Sequence, residues 1–154
     1  MSVNQLTTFM GNHLTATLHE LVYAMDGYAD RILTTRFGVG HNHFVFLSPL
    51  SHTTLDVTRL AAQLNLTKAA VSKRVPQLSR AGWLAVAADP DHGRRVLLTL
   101  TDAGQALVDE AGTLLNDRFS SLLAATAVDQ AALTASLTTL VTAVRGLSGE
   151  GSAR

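Results

Sequence analysis

Apolar residues recur at spacings of three and four over most of this chain, and a single short stretch, 95–100, alternates instead. The first spacing places apolar side chains on one face of a helix, whereas alternation is typical of a strand. The pattern therefore predicts a mainly α-helical protein with one small β-hairpin, formed by Leu84–Ala88 and 95–100 around a turn at 89–93. At 154 residues the chain is expected to fold as a single domain, 1–154.

The predicted helices start at residues that favour helix N-termini, and two of them stop at glycine. In chain order they are about 5–37, 43–50, 55–64, 68–81, 102–124 and 130–147. Their N-caps are predicted at Thr53 or Thr54 for the third helix, and then at Thr67, Thr101 and Asp129. Gly38 and Gly82 can adopt the left-handed conformation that ends a helix and folds the next residue back onto it. The Gly- and Ser-rich tail 148–154 is expected to lie outside the last helix.

A tight turn at Asn65-Leu66 joins the third and fourth predicted helices, and the hairpin follows them directly. Two short helices joined by such a turn form a helix-turn-helix, and a β-hairpin beside it forms a wing. The predicted fold is therefore a winged helix-turn-helix, about 52–101, between long N-terminal and C-terminal helices.

The charged residues are unevenly distributed along the sequence. Twelve Lys and Arg balance twelve Asp and Glu, which gives a formal net charge of +0. The segment 59–95 nevertheless contains seven basic and two acidic residues, so its net charge is +5 and that of the remaining chain is −5. This distribution indicates a local nucleic-acid contact that the total charge hides, although a solvated basic helix face has the same composition.

The residue types of the basic segment suit contact with double-stranded DNA. A recognition helix presents its N-terminal residues to base edges in the major groove, where small and hydroxyl side chains allow close approach. The residues of this kind, together with the cations predicted to meet phosphates, are Thr67, Lys68, Ala69, Ser72, Lys73 and Arg74. At the hairpin tip, Arg94 and Arg95 are predicted to reach an adjacent minor groove.

With these motifs in this order, residues 54–104 resemble the winged helix-turn-helix of the MarR (multiple antibiotic resistance regulator) family of bacterial transcription factors. The segments that carry the resemblance are 55–61, 66–75, 78–84, the wing 89–95 and 100–104. Two positions depart from the family pattern. His92 stands where family wings commonly carry Asp. Pro76 lies inside the recognition helix, where it is expected to cause a kink or a local distortion.

The resemblance implies a homodimer in which dimerisation helices at about 5–37 and 102–147 interleave, with a small-molecule pocket between the dimerisation and DNA-binding parts. The sequence thus predicts a cytoplasmic, ligand-responsive regulator, most simply a repressor bound to a pseudo-palindromic operator. The alternative is a winged-helix module that binds a protein instead of DNA. An enzyme is not expected, since no nucleophile elbow, phosphate-binding glycine loop or dinucleotide fingerprint occurs. No membrane partner is expected either, because no run approaches the about 18 apolar residues of a span.

Cysteine and histidine limit what the protein can sense. Cysteine is absent, which excludes disulfides, thiolate metal sites and sensing by thiol oxidation. His41 and His43 are two residues apart and diverge on a helix, so the sequence predicts no metal site and no cofactor. The same two histidines are candidate polar contacts for an anionic or phenolic effector in an apolar pocket bordered by the first two helices.

Overall fold

The computed structural model describes residues 13–93 and 95–150. Within these ranges it contains six α-helices, one 3-10 turn and a three-stranded antiparallel sheet, which confirms the predicted mainly α fold. The elements are, in chain order, α1 (His13–Phe37), α2 (His41–Leu47), the 3-10 turn Ser48–Leu50, β1 (Leu55–Asp56), α3 (Val57–Gln63), α4 (Lys68–Arg80), β2 (Leu84–Ala88), β3 (Val96–Leu100), α5 (Asp102–Ala125) and α6 (Gln130–Glu150). Of the first predicted helix, residues 5–12 lie outside the described part of the chain.

Helix α1 ends as the sequence predicts. Gly38 has a positive φ of 66°, and its N–H donates to the Thr34 carbonyl at 3.2 Å. The N–H of Val39 donates to the Leu33 carbonyl at 3.4 Å, which closes the last turn of the helix. Leu33 and Val39 are both buried, so this cap also fixes the packing of the chain that follows.

Helix α2 begins two residues before the predicted start because α1 supplies part of its cap. The Asp30 carboxylate in α1 accepts the N–H of His41 at 2.8 Å, and the Gly40 carbonyl accepts the N–H of His43 at 2.9 Å. The predicted helix 43–50 also ends differently. Its α-helical part stops at Leu47, and a 3-10 turn continues to Leu50.

A third strand joins the predicted hairpin, which corrects the predicted helix at 55–64. Leu55 and Asp56 form β1 and pair antiparallel with β3, so the sheet order is β1-β3-β2. Neither Thr53 nor Thr54 caps the following helix. Asp56 caps the shorter α3 instead, and its Oδ1 accepts the N–H of Arg59 at 2.8 Å. The strand is favoured because Leu55 is buried in the sheet.

The two C-terminal helices start where the sequence predicts. Thr101 Oγ1 accepts the N–H of Gly104 at 3.0 Å, and Asp129 Oδ1 accepts the N–H of Ala132 at 3.0 Å. Both contacts are N-caps of the predicted kind. Helix α6 continues to Glu150, so the last helix is longer than predicted.

The chain divides into two compact units, of which the first ends at Leu115. The larger core of this unit joins α2, β1, α3, α4, the sheet and the start of α5. Its buried members are Phe46, Leu47, Leu50, Leu55, Leu60, Ala61, Val71, Leu78, Leu84, Leu98, Leu100 and Val108. A smaller core contains Leu33, Val39 and Ala111. Packing on these two cores holds the helix-turn-helix and the wing together.

The second unit begins at Asn116 and contains the end of α5 and all of α6. None of its residues from 116 to 147 is buried. Helix α6 leaves large apolar side chains exposed, several of them three, four or seven residues apart, namely Leu133, Leu140, Val141, Val144 and Leu147. In the first unit, α1 likewise exposes Leu14, Leu21, Val22, Tyr23 and Tyr28. Both helices therefore carry apolar faces that a single chain leaves in contact with solvent.

Among the described residues, no single helix has the length and apolar composition needed to cross a membrane. The bent pair of α5 with residues 130–147 meets those two criteria only when both helices are taken together.

The start of α5 approaches the backbone of Trp83 very closely. The N–H of Thr101 donates to the Trp83 carbonyl at 3.1 Å, and the Thr101 hydroxyl donates to the Gly82 carbonyl. A Cβ at position 104 would lie 2.1 Å from the Trp83 carbonyl oxygen. Gly104 therefore permits a contact that fixes α5 against the junction of α4 and β2.

Candidate functional site

The helix-turn-helix consists of α3, the turn 64–67 and α4. Asn65 takes the left-handed conformation with φ of 52°, and the N–H of Leu66 donates to the Ala61 carbonyl at 2.9 Å. Thr67 then caps α4, because its Oγ1 accepts the N–H of Ala70 at 3.1 Å. The turn and cap predicted from Thr67 are confirmed.

Helix α4 buries one face and exposes the other. Val71 and Leu78 are buried against the core of the first unit. Five of the predicted DNA-contacting residues are exposed, namely Thr67, Lys68, Ala69, Ser72 and Lys73. The helix continues through Pro76 to Arg80 and does not end at the proline. Its N-terminal half therefore offers small, hydroxyl and cationic side chains on an open surface.

The exposed face of α4 extends beyond the predicted contacts to Gln77 and Arg80. Both side chains are exposed, and they follow Lys73 at spacings of four and seven residues. On a helix these spacings place all three residues on one face. Sequence reasoning stopped at Arg74 because it considered only the start of the helix. The same periodicity that identified the buried face would also have identified Gln77 and Arg80.

Arg74 differs from Lys73 in its surroundings. It is half-buried, and its guanidinium carbon lies 5.9 Å from the centroid of the Phe46 ring. Phe46 is a fully buried core residue, so Arg74 packs its stem and its cation against the edge of the core. Its predicted contact with a phosphate remains a prediction.

The wing consists of β2, β3 and the turn between them. Asp89 organises this turn, since its Oδ1 accepts the N–H of Asp91 at 3.0 Å and its carbonyl accepts the N–H of His92 at 3.3 Å. The backbones of Asp89 and Arg95 close the turn through an N–H to carbonyl bond of 2.9 Å. Arg94, predicted to enter a minor groove, lies outside the described residues.

Arg95, the second predicted wing contact, lies close to two carboxylates. Its Nη1 is 3.6 Å from Asp89 Oδ2, and its Nε is 3.8 Å from Asp56 Oδ2. Its side chain is 45% exposed, whereas those of Asp56 and Asp89 are each only 10% exposed. The structure thus places Arg95 at the base of the wing, beside the N-cap of α3.

The pKa of Asp56 is lowered from its ordinary value of 3.8. The main cause is the hydrogen bond that its carboxylate accepts from the N–H of Arg59, which burial partly opposes. A bond from the N–H of Thr58 and the charges of Arg95 and Arg59 lower the pKa further. The carboxylate is therefore held in its charged form where helix-turn-helix and wing meet.

We expect wild type to have a larger free energy of unfolding than Asp56→Asn at neutral pH, and the difference to shrink as pH falls below 3.8. Asparagine keeps an oxygen that can cap α3 but carries no charge. Because the folded carboxyl has a lowered pKa, its charge stabilises the folded state above the unfolded pKa, and that contribution is lost as pH falls through the folded pKa. Denaturant titrations between neutral pH and about pH 3 measure this difference. Asp117→Asn in α5 is the control, and a difference for Asp56 that stays constant over this range would contradict the assignment.

The two histidines predicted to meet an effector have different neighbours. His41 Nε2 lies 3.7 Å from Asp26 Oδ1 in α1. The ring of His43 lies beside Trp83, with 6.4 Å between ring centroids and an angle of 54° between planes. Within the described ranges, no group of three or more His, Asp or Glu side chains is arranged to hold a metal ion. His41 and His43 therefore lie on opposite sides of α2's N-terminal turn, one toward α1 and one toward the end of α4.

Residues 37–95 match the sequence model of the MarR family. No functionally curated protein has significant sequence similarity to this chain. Among solved structures, a MarR/EmrR family transcriptional regulator from Acinetobacter sp. ADP1 is similar at 24% identity and a TM-score of 0.74, with 97% of this chain and 99% of that chain covered.

Two further structures with this fold contain a bound molecule. A MarR family transcriptional regulator from Streptomyces coelicolor, solved in complex with DNA, has 20% identity and a TM-score of 0.74, with 87% of this chain and 85% of that chain covered. NadR, solved in complex with 4-hydroxyphenylacetate, has 21% identity and a TM-score of 0.67, with 83% of this chain and 91% of that chain covered. Over residues 37–95 the chain therefore matches the MarR family in sequence, and its fold is similar to that of solved MarR family transcriptional regulators.

Proposed function

We propose that this protein binds specific sequences of double-stranded DNA through α4 and the wing and thereby regulates transcription. The observation that carries the proposal is the exposed face of α4, which presents Thr67, Ala69 and Ser72 beside the two lysines of the chain. Small and hydroxyl groups at the start of a recognition helix fit base edges, and lysines fit phosphates. The Streptomyces coelicolor regulator with the same fold was solved in complex with DNA, which supports DNA binding.

The regulator acts as a homodimer on a pseudo-palindromic operator, most simply as a repressor in the cytoplasm, where the chromosome lies. The apolar rows of α1 and α6 support the dimer, because a single chain leaves them exposed, with Val144 61% and Leu147 72% accessible. In this proposal the segments of about 5–37 and 102–147 provide the dimerisation helices, and the winged core of about 52–101 provides the DNA-binding part. Two recognition helices about one turn of DNA apart then match two half-sites.

A gel shift on the DNA directly upstream of the protein's own coding region tests DNA binding. We expect a discrete shifted band and retention on heparin at low salt, since Lys68 and Lys73 on the exposed face of α4 are proposed to meet phosphates. If neither occurs at low salt, the alternative of a winged-helix module that binds a protein is favoured.

An anionic or phenolic small molecule regulates the protein by favouring a dimer whose recognition helices no longer match the half-site spacing. NadR, which has this fold, was solved with 4-hydroxyphenylacetate, a molecule with both groups. In this chain His41 and His43 are the proposed polar contacts, between α1 and Trp83.

We expect 4-hydroxyphenylacetate to raise the Tm of wild type, and His41→Ala and His43→Ala to weaken its apparent affinity at least several-fold. Loss of a hydrogen bond to a charged ligand leaves the ligand's polar group unpaired, which is the physical reason for the effect. Thermal shift and calorimetry measure it, with His92→Ala in the wing as the control. If wild type and the His41→Ala, His43→Ala and His92→Ala variants all bind with equal affinity, the two histidines do not contact the effector.

A further inference from the structure

Two carboxylates, Asp56 and Asp89, are the buried charged side chains in the part of the chain that the structure describes, and each residue is 8% exposed. Arg95 lies within ion-pair distance of both, at 3.8 Å and 3.6 Å respectively. A buried carboxylate is costly unless it is paired and hydrogen-bonded. The guanidinium of Arg95 therefore lies within ion-pair distance of both buried carboxylates among the described residues.

Each of these carboxylates also organises the backbone of a different element. Asp56 caps α3 through the N–H of Arg59, at 2.8 Å. Asp89 folds the turn of the wing through the N–H of Asp91, at 3.0 Å. The Arg95 side chain consequently connects the first residue before the helix-turn-helix to the turn of the wing.

Arginine suits this position because its planar group carries several donors that point in different directions. Arg95 uses Nε toward Asp56 and Nη1 toward Asp89, so the two carboxylates are contacted by different nitrogens. Arg59 is also near Asp56, at 3.9 Å, but its side chain is 72% exposed and it has no second carboxylate in the described contacts. Arg95 is thus the cation that links two elements, whereas Arg59 lies within the helix that Asp56 caps.

We propose that Arg95 is a positioning residue that clamps the wing to the start of the helix-turn-helix and does not itself contact DNA. The clamp sets where the wing lies relative to α4, and so how the wing meets DNA. The effect of the clamp on DNA binding rests on the proposed function, whereas the clamp itself does not. Of the two adjacent wing arginines predicted to contact DNA, only Arg94 then remains a predicted contact.

A double-mutant cycle in the absence of DNA tests the clamp. We expect Arg95→Ala and Asp89→Asn each to lower the Tm by roughly 5 °C. The double variant should melt close to the single variants, because removing either partner already breaks the pair. Arg95→Lys should recover part of the loss, and Arg59→Ala, which removes an exposed arginine, should change Tm little. Additive Tm losses in the double variant would overturn the clamp.

Operator binding at several salt concentrations tests whether Arg95 positions the wing for DNA binding without contacting DNA itself. We expect Arg95→Ala to bind roughly tenfold more weakly with the salt slope of wild type, because no phosphate contact is lost. A slope lowered by about one, with an unchanged Tm, would identify Arg95 as a direct DNA contact and overturn the proposal. If wild type binds no DNA, the proposed function fails, and the Tm cycle still decides the clamp.

Discussion

Gly104→Ala is expected to lower the free energy of unfolding by about 2 kcal/mol or more, the range in which overpacking a close contact falls. The new Cβ would lie 2.1 Å from the carbonyl oxygen and 2.9 Å from the carbonyl carbon of Trp83. These are backbone atoms, so no side chain can rotate away, and α5 must move from the end of α4. That movement would also strain the bond from the Thr101 N–H to the Trp83 carbonyl.

Gly112→Ala in the same helix is the matched control. A Cβ there would have Phe44 Cζ as its nearest neighbour at 4.0 Å, which is an ordinary contact. Alanine is the better helix former by about 1 kcal/mol, so this variant should be neutral or more stable than wild type. Denaturant unfolding of both variants measures the difference. Equal stability of Gly104→Ala and wild type would show that α5 does not pack on Trp83 as described.

Lys73→Ala is expected to weaken operator binding roughly tenfold, the effect of losing a charged hydrogen bond to phosphate. The loss should be similar on every DNA sequence, since a phosphate contact carries no base information. The salt slope should fall by about one for each contact removed. Fluorescence anisotropy with operator and non-operator DNA over a salt series measures both quantities.

Two other variants distinguish a phosphate contact of Lys73 from the effects of losing a positive charge elsewhere and of losing stability. Arg118→Ala removes the same charge from α5 in the second unit and should leave the slope unchanged. Arg74→Ala should also lower Tm, because the Arg74 guanidinium packs over the Phe46 ring at 5.9 Å, whereas the Lys73 side chain is exposed. An unchanged slope for Lys73→Ala would remove Lys73 from the phosphate contacts.

Local signals in the sequence predicted most helix boundaries of the fold. Thr67 and Asp129 cap the helices they were expected to cap, and Gly38 and Gly82 take the left-handed conformation with φ of 66° and 80°. These features depend on neighbours within four residues, so periodicity and capping preferences are sufficient to find them. The turn at Asn65 was predictable for the same reason.

Contacts between residues distant in sequence were not predictable in this way. Leu55 and Asp56 were predicted as helical, but pairing with β3, about forty residues later in the chain, makes them a strand. The start of α2 depends on Asp30, eleven residues before the N–H that it accepts from His41. Arg95 was predicted as a DNA contact from its position at the hairpin tip, and its two carboxylate neighbours become visible only in the folded chain.

The distribution of charge connects the fold to the proposed function. The net charge is +0, so long-range attraction to DNA is weak and the proposed local contacts of α4 and the wing would have to supply the affinity. The proposed homodimer, which would also be neutral, is expected to bind non-operator DNA weakly, which favours discrimination between operator and other DNA. The absence of cysteine from the sequence excludes regulation by thiol oxidation.

Selection of bound sequences from a random DNA library tests the central claim most directly, because it reports binding, specificity and dimer symmetry together. We predict an enriched pseudo-palindrome whose half-sites are about one helical turn apart, as two recognition helices related by a two-fold axis require. Enrichment should disappear when the selection is repeated with the Lys68→Ala/Lys73→Ala variant. If wild type enriches no sequence over the starting library, the protein is not a sequence-specific DNA-binding regulator.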